Sequence, residues 1–277
     1  MNPVQKAIWY IESHFTEHLG LEDIARVVGV SHYHLTRAFA GVTGVSVMRY
    51  LRARRLSEAA KLLANGAPDI LSLALEAGYG SHEAFTRAFS EQFGLTPEQL
   101  RAQGNLQSIP LVEAITLDQT LPITLAPPRF ENGKAFLMAG LNERYACNNS
   151  AGIPAQWQRF LPYLGQVQGQ VGGIAYGVTY NTDEDGNMDY MCAVEVADFS
   201  HLPPTFSRLR IPAQKYVVFT HKDHISAIRS TWAAVWSSWF PQSGHEASDA
   251  PNFERYSESF NPHTGLGGLE LWVPIKA

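Results

Sequence analysis

The amino-terminal part of the chain contains two similar copies of a nine-residue segment. SHYHLTRAF at residues 31–39 aligns with SHEAFTRAF at 81–89, and GVS at 44–46 aligns with GLT at 94–96. In each copy two large apolar residues stand four positions apart, which places them on one face of a helix. A duplicated segment has to bury this face in both places, and few folds satisfy that requirement. The apolar residues are Leu35 and Phe39 in the first copy and Phe85 and Phe89 in the second.

Each copy also has the parts of a helix-turn-helix. A small residue, Ala25 or Ala74, lets the second helix cross close to the first, and Gly29 or Gly78 four positions later supplies the turn. A serine then caps the second helix. The alternative is a duplicated helical bundle that does not bind DNA, and the number of matching positions favours the helix-turn-helix.

The outward face of each second helix carries groups that can bond base edges or phosphates in a major groove. An arginine at the same place in both copies can donate two hydrogen bonds to guanine, which is worth about 1–3 kcal/mol of discrimination. The candidate DNA-binding residues are His32, Tyr33, Thr36 and Arg37 in the first copy, and His82, Glu83, Thr86 and Arg87 in the second.

Residues 4–102 resemble the DNA-binding domain of the AraC/XylS family. The resemblance implies two helix-turn-helix units, joined by a long helix from Val47 to about Leu63, which enter successive major grooves on one side of the duplex. It assigns Tyr33, Thr36 and Arg37 to one groove and His82, Glu83 and Arg87 to the next. The residues that carry the resemblance are Ala74, Gly78, Tyr79, Phe85, Arg87, Phe89, Gly94, Thr96, Pro97 and Arg101.

The resemblance bears on three further features. Arg49, Arg54 and Arg55 of the linker helix are expected to serve phosphates or internal ion pairs rather than bases, and Arg49 and Arg54 are included among the DNA-binding candidates. Glu83 departs from the amide-rich pattern of the family, because a glutamate can accept from cytosine N4 but repels phosphate. RNA polymerase is the protein partner that the resemblance implies.

The charge of the chain is unevenly distributed. The formal net charge of −5 taken alone argues against a nucleic-acid partner. Residues 1–106 carry ten Lys/Arg and ten Asp/Glu, whereas residues 107–277 carry eleven and sixteen, so the excess acid lies in the second part. A local basic surface remains possible on the neutral first part.

The pattern predicts a multidomain chain. Residues 1–104 are expected to form the all-α double helix-turn-helix domain, 105–120 a linker, and 121–277 an α+β domain of two strand–helix–strand–strand halves. Helices are expected at Ile153–Leu164 and Ile225–Phe240. The expected strands are Lys134–Leu141, Gly173–Tyr180, Tyr190–Val196, Lys215–Thr220, Phe253–Glu258 and Gly268–Ile275.

Carboxylates occur on several of these strands beside aromatic residues. Alternation puts Glu270 on one face with Trp272, and puts Glu254 on one face with Tyr256. A carboxylate that points into an aromatic concavity favours a cation or a hydrogen-bond donor. The alternative is an exposed sheet face with ordinary surface glutamates.

The carboxy-terminal part resembles the GyrI-like effector-binding domain. The resemblance is carried by PAQKYVVFTH at 212–221, WSSWFPQSG at 236–244, FERY at 253–256 and LELWVPIK at 269–276. It implies a cleft between two halves that binds amphipathic, often cationic or aromatic compounds, as multidrug sensors do. Glu270 is the expected electrostatic anchor and Glu254 the second choice, because Arg255 and exposure could neutralise it. The implied ligand-binding residues are Tyr176, Trp232, Glu254, Tyr256 and Glu270.

Other classes of function receive less support. Two cysteines, no secretion signal and no long apolar run indicate a cytoplasmic protein away from the membrane, with neither a cofactor motif nor a metal site expected. A small-molecule hydrolase that uses Glu270 with Tyr256 or Tyr176 stays open, as does a sequestering protein that acts through the same cleft. The leading hypothesis is a transcription regulator whose partners are an operator in double-stranded DNA and a small-molecule effector.

Overall fold

The computed structural model describes residues 3–67, 69–107, 109–115, 125–146 and 152–276. These residues form two compact units, the first from residues 3–32 and 47–118 and the second from 33–46 and 119–277. The second helix of the first repeat therefore belongs to the same unit as the carboxy-terminal domain. Residues 116–120 of the expected linker and Cys147 lie outside the described residues.

Seven helices are described in the amino-terminal region, and their ends follow local capping rules. Ser81 and Thr96 accept hydrogen bonds from backbone N–H groups three residues later, as the sequence predicts. Gly29 and Gly94 adopt the left-handed conformation that closes a helix. The helices are α1 (Pro3–His14), α2 (Leu21–Val28), α3 (His32–Thr43), α4 (Val47–Ala64), α5 (Ile70–Glu76), α6 (His82–Phe93) and α7 (Pro97–Gln103).

The second repeat packs on the linker helix. Phe85 and Phe89 are fully buried, and they share one apolar core with Leu63 of α4 and Leu100 of α7. The expected inward face of α6 is thus confirmed. The predicted linker helix is α4, which ends one residue beyond the expected Leu63.

Arg54 has an internal role, which corrects its assignment as a DNA-binding residue. Its side chain is 7% exposed, and its guanidinium donates to both carboxylate oxygens of Glu12 at 2.9–3.1 Å. The remaining nitrogen donates to Glu58 and to the Val112 carbonyl at 2.8 Å. Since these bonds engage all three nitrogens, no guanidinium face is left to meet a phosphate. Arg55 likewise donates to the carbonyl of Phe15.

Among the described residues of the second unit, eight strands form one antiparallel sheet in the order β1-β6-β8-β7-β3-β4-β2-β5. The two predicted halves are β2–helix–β3–β4 and β6–helix–β7–β8, and they meet where β3 pairs with β7. Two short edge strands, β1 and β5, add to the predicted set. The strands are β1 (Arg129–Gly133), β2 (Phe136–Ala146), β3 (Gln170–Tyr180), β4 (Asn187–Val196), β5 (Ser207–Ile211), β6 (Gln214–His221), β7 (Asn252–Tyr256) and β8 (Leu269–Pro274).

The sheet curls so that its two edges approach each other. Only residues 134 and 135 separate β1 from β2, although these strands lie near opposite ends of the sheet. One apolar cluster accordingly unites Met138 of β2, Tyr216 of β6 and Phe253 of β7. We call the side of the sheet that holds this cluster the inner face and the opposite side the outer face.

The outer face is covered by helices. Helix α8 (Ile153–Phe160) packs on β4 with Phe160 fully buried. The predicted second helix is broken into a 3-10 turn at Ile225–Ala227, α9 (Ile228–Ala234), a π-helical turn at Val235–Trp239 and α10 (Phe240–Ser243). In the described part of the chain, no helix combines the length and apolarity needed to cross a membrane.

We expect the substitution Arg54→Met to lower the free energy of unfolding by about 3 kcal/mol, because it leaves the Glu12 carboxylate partly buried without its partner. Urea unfolding followed by circular dichroism measures this change. Arg26→Met is the control, since the Arg26 side chain is 74% exposed beside Asp23 and such surface pairs contribute less than about 1 kcal/mol. Equal losses for the two variants would contradict the internal role of Arg54.

Candidate functional site

A cavity of about 670 Å³ lies on the outer face of the sheet in the second unit. Its floor is formed by the two central strands, β3 and β7, where the two halves of the domain meet. Its walls come from α8, from α9 with the following π-helical turn, and from α3. This position lets side chains from both halves converge on one space.

Glu254 is the charged group at the floor of the cavity. Three donors hold its carboxylate: Trp232 Nε1 donates to Oε1 at 3.0 Å, and the hydroxyls of Tyr190 and Tyr256 donate to Oε2 at 3.0 Å each. Trp157 Nε1 in turn donates to the Tyr190 hydroxyl at 3.1 Å. The donors come from both halves of the domain, so the carboxylate ties the halves together.

A glycine on the neighbouring strand makes room for this network. In the β3–β7 pair Gly177 stands directly opposite Glu254. A Cβ atom at Gly177 would overlap the hydroxyl oxygen of Tyr190 and come to 2.7 Å from Glu254 Oε2. Only glycine at this position lets the phenol and the carboxylate meet.

Burial shapes the acid–base properties of the network. Burial raises the pKa of Glu254 above its ordinary value, while the bonds from Trp232, Tyr190 and Tyr256 oppose that rise. Burial and the adjacent Glu254 charge raise the pKa values of Tyr190 and Tyr256 well above the ordinary tyrosine value. Both phenols therefore stay protonated and act as donors.

Aromatic rings surround the carboxylate. Trp157 packs edge-on against Tyr256 at 4.9 Å between ring centroids. Trp232 lies nearly parallel to Trp236 at 6.4 Å. All four residues line the cavity. A flat apolar ligand would thus meet ring faces and edges close to a carboxylate, an arrangement suited to an aromatic cation.

The structure places Glu270 and Tyr176 away from this cavity, on the inner face. In the β7–β8 pair Arg255 stands opposite Glu270, and in the β3–β7 pair it stands opposite Tyr176. Residues directly opposite each other share a face, whereas Glu254, one position from Arg255, points to the other face. The expected anchor and the expected wall residue therefore lie across the sheet from the cavity.

Glu270 is instead part of an ion-pair group. Arg129 donates to its Oε1 at 2.8 Å, Trp272 Nε1 donates to Oε2 at 3.0 Å, and Arg255 lies 3.5 Å from Oε2. Tyr176 is buried beside Phe253, with ring centroids 5.8 Å apart. Of the five expected ligand-binding residues, Trp232, Glu254 and Tyr256 line the cavity.

Three aromatic residues of the site were missed in the sequence. Tyr190 was visible as part of a predicted strand, and Trp157 and Trp236 as part of predicted helices. Alternation along β4 could have put Tyr190 on the same face as Cys192 and Val194, as the structure does. The pairing of β3 with β7, which brings Glu254 close to Tyr190, follows from no local pattern in the sequence.

The two candidate DNA-binding helices differ in their surroundings. In α3, His32 is exposed, Tyr33 and Thr36 are 8% and 4% exposed, and Arg37 is half-buried at the cavity wall. The hydroxyl of Tyr33 accepts a hydrogen bond from Asn252 Nδ2 at 3.0 Å. On the face of α3 assigned to DNA, Tyr33 and Thr36 are thus buried, whereas His32 is open to solvent.

In α6 the equivalent face is open. Glu83 and Arg87 are exposed, while Thr86 is half-buried. His82 lies 3.0 Å from a carboxylate oxygen of Glu98, so its ring contributes to the start of α7. Arg49 is exposed on α4. The charged groups of the second repeat are therefore available to a partner.

Duplicated helix-turn-helix segments, followed by a curled sheet with a lined cavity, define a DNA-binding regulator with a small-molecule domain. The sequence matches the model of the GyrI-like small molecule binding domain over residues 126–276 and that of a helix-turn-helix domain over 24–103. The chain belongs to the GyrI-like family and is an AraC-type DNA-binding transcription regulator with a GyrI-like small-molecule-binding domain. The leading hypothesis from the sequence is thereby confirmed at this level.

Known proteins resemble the chain over different lengths. It is 25% identical over 282 residues to the right origin-binding protein of Escherichia coli K12, and this alignment covers 97% of this chain and 96% of that protein. It is 30% identical over 168 residues to the transcriptional regulator BrlR of Pseudomonas aeruginosa, covering 57% and 61%. The structure of SAV2435 bound to tetraphenylphosphonium is similar over 55% of this chain and 95% of that one, at 20% identity and a TM-score of 0.47.

We expect Gly177→Ala to lower the free energy of unfolding by about 1–3 kcal/mol, because the added methyl group forces Tyr190 and Glu254 apart in a packed site. Thermal unfolding of the full chain measures this effect. Gly173→Ala on the same strand is the control, since a Cβ atom there meets nothing within 4 Å. A loss for Gly177→Ala no larger than the control's would show that the network does not need the glycine.

Proposed function

We propose that this regulator binds an amphipathic aromatic cation in the outer-face cavity, with Glu254 as its electrostatic anchor, and reads DNA with α3 and α6. In this proposal residues 1–104 read DNA, 105–120 are the linker and 121–277 carry the sensing domain, with α3 of the first part supplying one wall of its cavity. RNA polymerase is the proposed protein partner, because a transcription regulator acts on that enzyme. The cytoplasm is the proposed location, because the chromosome is there.

The observation that carries the cation proposal is a buried carboxylate with neutral partners. Glu254 is 9% exposed, and within the described part of the chain its hydrogen-bond donors are two phenols and an indole, with no basic group in an ion pair. A buried charge without a counter-charge is costly, and a cationic ligand would supply that counter-charge. The rings of Trp157, Trp232 and Trp236 would add cation–π and stacking contacts.

Glu254 is a better candidate than Glu270 for this role. Glu270 has Arg129 and Arg255 as counter-charges on the inner face, so a ligand cation would gain little from it. The same placement weakens the hydrolase alternative, which needs Glu270 beside Tyr256 or Tyr176 as a general base and its helper. Tyr256 already donates to Glu254 and has a strongly raised pKa. We therefore propose that the cavity binds its ligand without catalysing a reaction.

The DNA-binding proposal rests on the exposed face of α6 and on the repeat that relates it to α3. Arg87 is exposed in the middle of the capped helix α6, the second helix of its repeat, which is the one that enters a groove in helix-turn-helix proteins. Arg37 occupies the matching position on α3. Arg49 on α4 is proposed to contact phosphate, whereas Arg54 is removed from the proposed set because of its internal bonds.

We expect Glu254→Gln to weaken binding of the cationic dye rhodamine B ethyl ester about ten-fold, because the buried counter-charge is lost. Fluorescence anisotropy of the dye with the full chain measures the affinity. The control, Glu270→Gln, is expected to change it less than two-fold, a factor worth about 0.4 kcal/mol. Equal effects of the two variants would contradict the choice of Glu254. Chromatography of the recovered dye shows whether its ester has been cleaved.

The same titration has a defined pH dependence. The pKa of Glu254 is raised, so the carboxyl is neutral below that pKa and ionised above it. Affinity for the cation is therefore expected to rise as pH increases through this pKa and then to level off. Glu254→Gln should remove the rise, and a wild-type affinity that stays flat from acid to neutral pH would argue against a titrating anchor.

We expect Arg87→Ala to weaken binding to a duplex selected from a random library by the full chain. The expected loss is about 10- to 100-fold, because a bidentate arginine–guanine contact is worth about 1–3 kcal/mol. Electrophoretic mobility shift at fixed salt measures it. Arg159→Ala is the control, since Arg159 is exposed on α8 and pairs with Glu143. An unchanged affinity for Arg87→Ala would remove this residue from the DNA interface.

A further inference from the structure

Helix α3 forms one wall of the small-molecule cavity. Four of its residues line that space together with Glu254, Trp232 and Trp236, and so does Gly44, which directly follows the helix. Within the second unit, therefore, a helix assigned to DNA and the carboxylate assigned to a ligand face the same space. The four residues of α3 are Thr36, Arg37, Ala40 and Gly41.

Two polar contacts hold α3 in this position. The hydroxyl of Tyr33 accepts from Asn252 Nδ2 at 3.0 Å and donates to the Ala250 carbonyl at 3.4 Å. Asn252 is 1% exposed and lies two residues before Glu254 on β7, on the same face of the strand. The contact thus fixes the start of α3 directly beside the anchor.

The second contact depends on the π-helical turn. His34 Nε2 lies 2.7 Å from the carbonyl oxygen of Trp236 and donates to it. In that turn the N–H of Phe240 bonds Val235, and Pro241, the next donor position, has no N–H. The Trp236 carbonyl is therefore left without a donor from its own helix, and His34 supplies one. The ring of Trp236 also stacks beside Trp232, which donates to Glu254.

Gly41 of α3 lies beside Ala233 of α9. A Cβ atom at Gly41 would come to 3.7 Å from Ala233 Cα, which is ordinary van der Waals contact, so alanine fits at this position. The second repeat has Glu91 at the matching position. A glycine at this position is therefore not required to form the helix. Gly41 instead allows α3 to lie close to Ala233 of α9.

Arg37 is the group that points to a ligand. It lines the cavity, and its Nε and Nη2 atoms are buried without a hydrogen-bond acceptor in the described part of the chain. Its guanidinium lies 5.5 Å from the centroid of the Tyr33 ring. Buried guanidinium donors that lack an acceptor are costly, so the site is complete only when something supplies one. Arg87, the equivalent residue on α6, is exposed and has no such need.

We propose that α3 completes the effector site, with Arg37 binding an anionic group of an amphipathic effector whose aromatic, cationic part lies against Glu254. The effector class is then a zwitterion, such as an aromatic cation that also bears a carboxylate. This inference rests on the proposed function, because it takes the cavity as the ligand site and α3 as a DNA-reading helix. Beyond the proposed function, the inference assigns a negative charge to the ligand and states that ligand binding and DNA binding affect each other through α3.

Ligand binding and DNA binding are coupled because both partners use the same surface of α3. Tyr33 and Thr36 are buried when α3 lines the cavity, and the same residues are the proposed groove contacts. A ligand that bridges Glu254 and Arg37 stabilises this arrangement and keeps α3 from DNA. By linkage, DNA lowers the affinity for the ligand by the same factor by which the ligand lowers the affinity for DNA.

A matched pair of dyes tests the ligand class with the full chain. Rhodamine B is a zwitterion with a free carboxylate, and its ethyl ester carries the cation alone. We expect rhodamine B to bind about ten-fold more tightly than the ester, because of its charge-assisted bonds to Arg37. The variant Arg37→Met should reduce that preference to less than about two-fold. The control Arg87→Met should keep the wild-type preference.

The second arm tests the competition and does not depend on the folding of Arg37→Met. Rhodamine B is expected to weaken binding of the selected duplex, and to slow amide hydrogen exchange in residues 33–46 of the wild type. Gly41→Glu, which copies the residue of the second repeat, should weaken rhodamine B binding and make duplex affinity insensitive to the dye. Gly41→Ala should behave as the wild type does.

The possible outcomes separate this inference from the proposed function. An unchanged dye preference in Arg37→Met would overturn the role of Arg37. Independent binding of rhodamine B and duplex in the wild type would overturn the shared use of α3, with the two binding activities themselves intact. Failure of both dyes to bind any variant would overturn the cavity proposal together with the inference drawn from it.

Discussion

The buried carboxylate of Glu254 determines how the second unit is assembled. A carboxylate at 9% exposure needs donors, and it has them from β4, from β7 itself and from α9. To bring these elements together, β3 has to run between β4 and β7 with glycine at position 177. The central strand pairing, the position of α9 and the floor of the cavity are therefore parts of one arrangement around a single charge.

Helices and strands could be predicted from the sequence where neighbouring residues alone determine them. Thr96 with Pro97 at the start of α7, the fully buried Phe85 and Phe89, and the linker helix all follow from capping chemistry and helical spacing. The edge strands β1 and β5 were missed, because each is five residues long and takes its stability from a partner far away in the chain. The break in the second helix at Val235–Trp239 has no signal other than Pro241.

The candidate site shows why local patterns do not suffice. Alternation correctly placed Glu254 with Tyr256 and, separately, Glu270 with Trp272. Which of these two faces looks into the cavity depends on register and on the direction in which the sheet curls. Both are properties of the whole sheet, so Glu270 and Glu254 could not be ranked from their neighbours in the sequence. The same limit applies to Arg54, whose partner Glu12 lies 42 residues away.

The positions at which the two repeats differ indicate what is particular to the first repeat. Tyr33, His34 and Gly41 of the first copy correspond to Glu83, Ala84 and Glu91 of the second. The three residues of the first copy are those that contact β7, the carbonyl of Trp236 and Ala233. Their counterparts Glu83 and Ala84 on α6 are exposed to solvent. The helix-forming and core positions are shared by both copies, so the differences record a second task that only α3 has, which is to close the wall of the cavity.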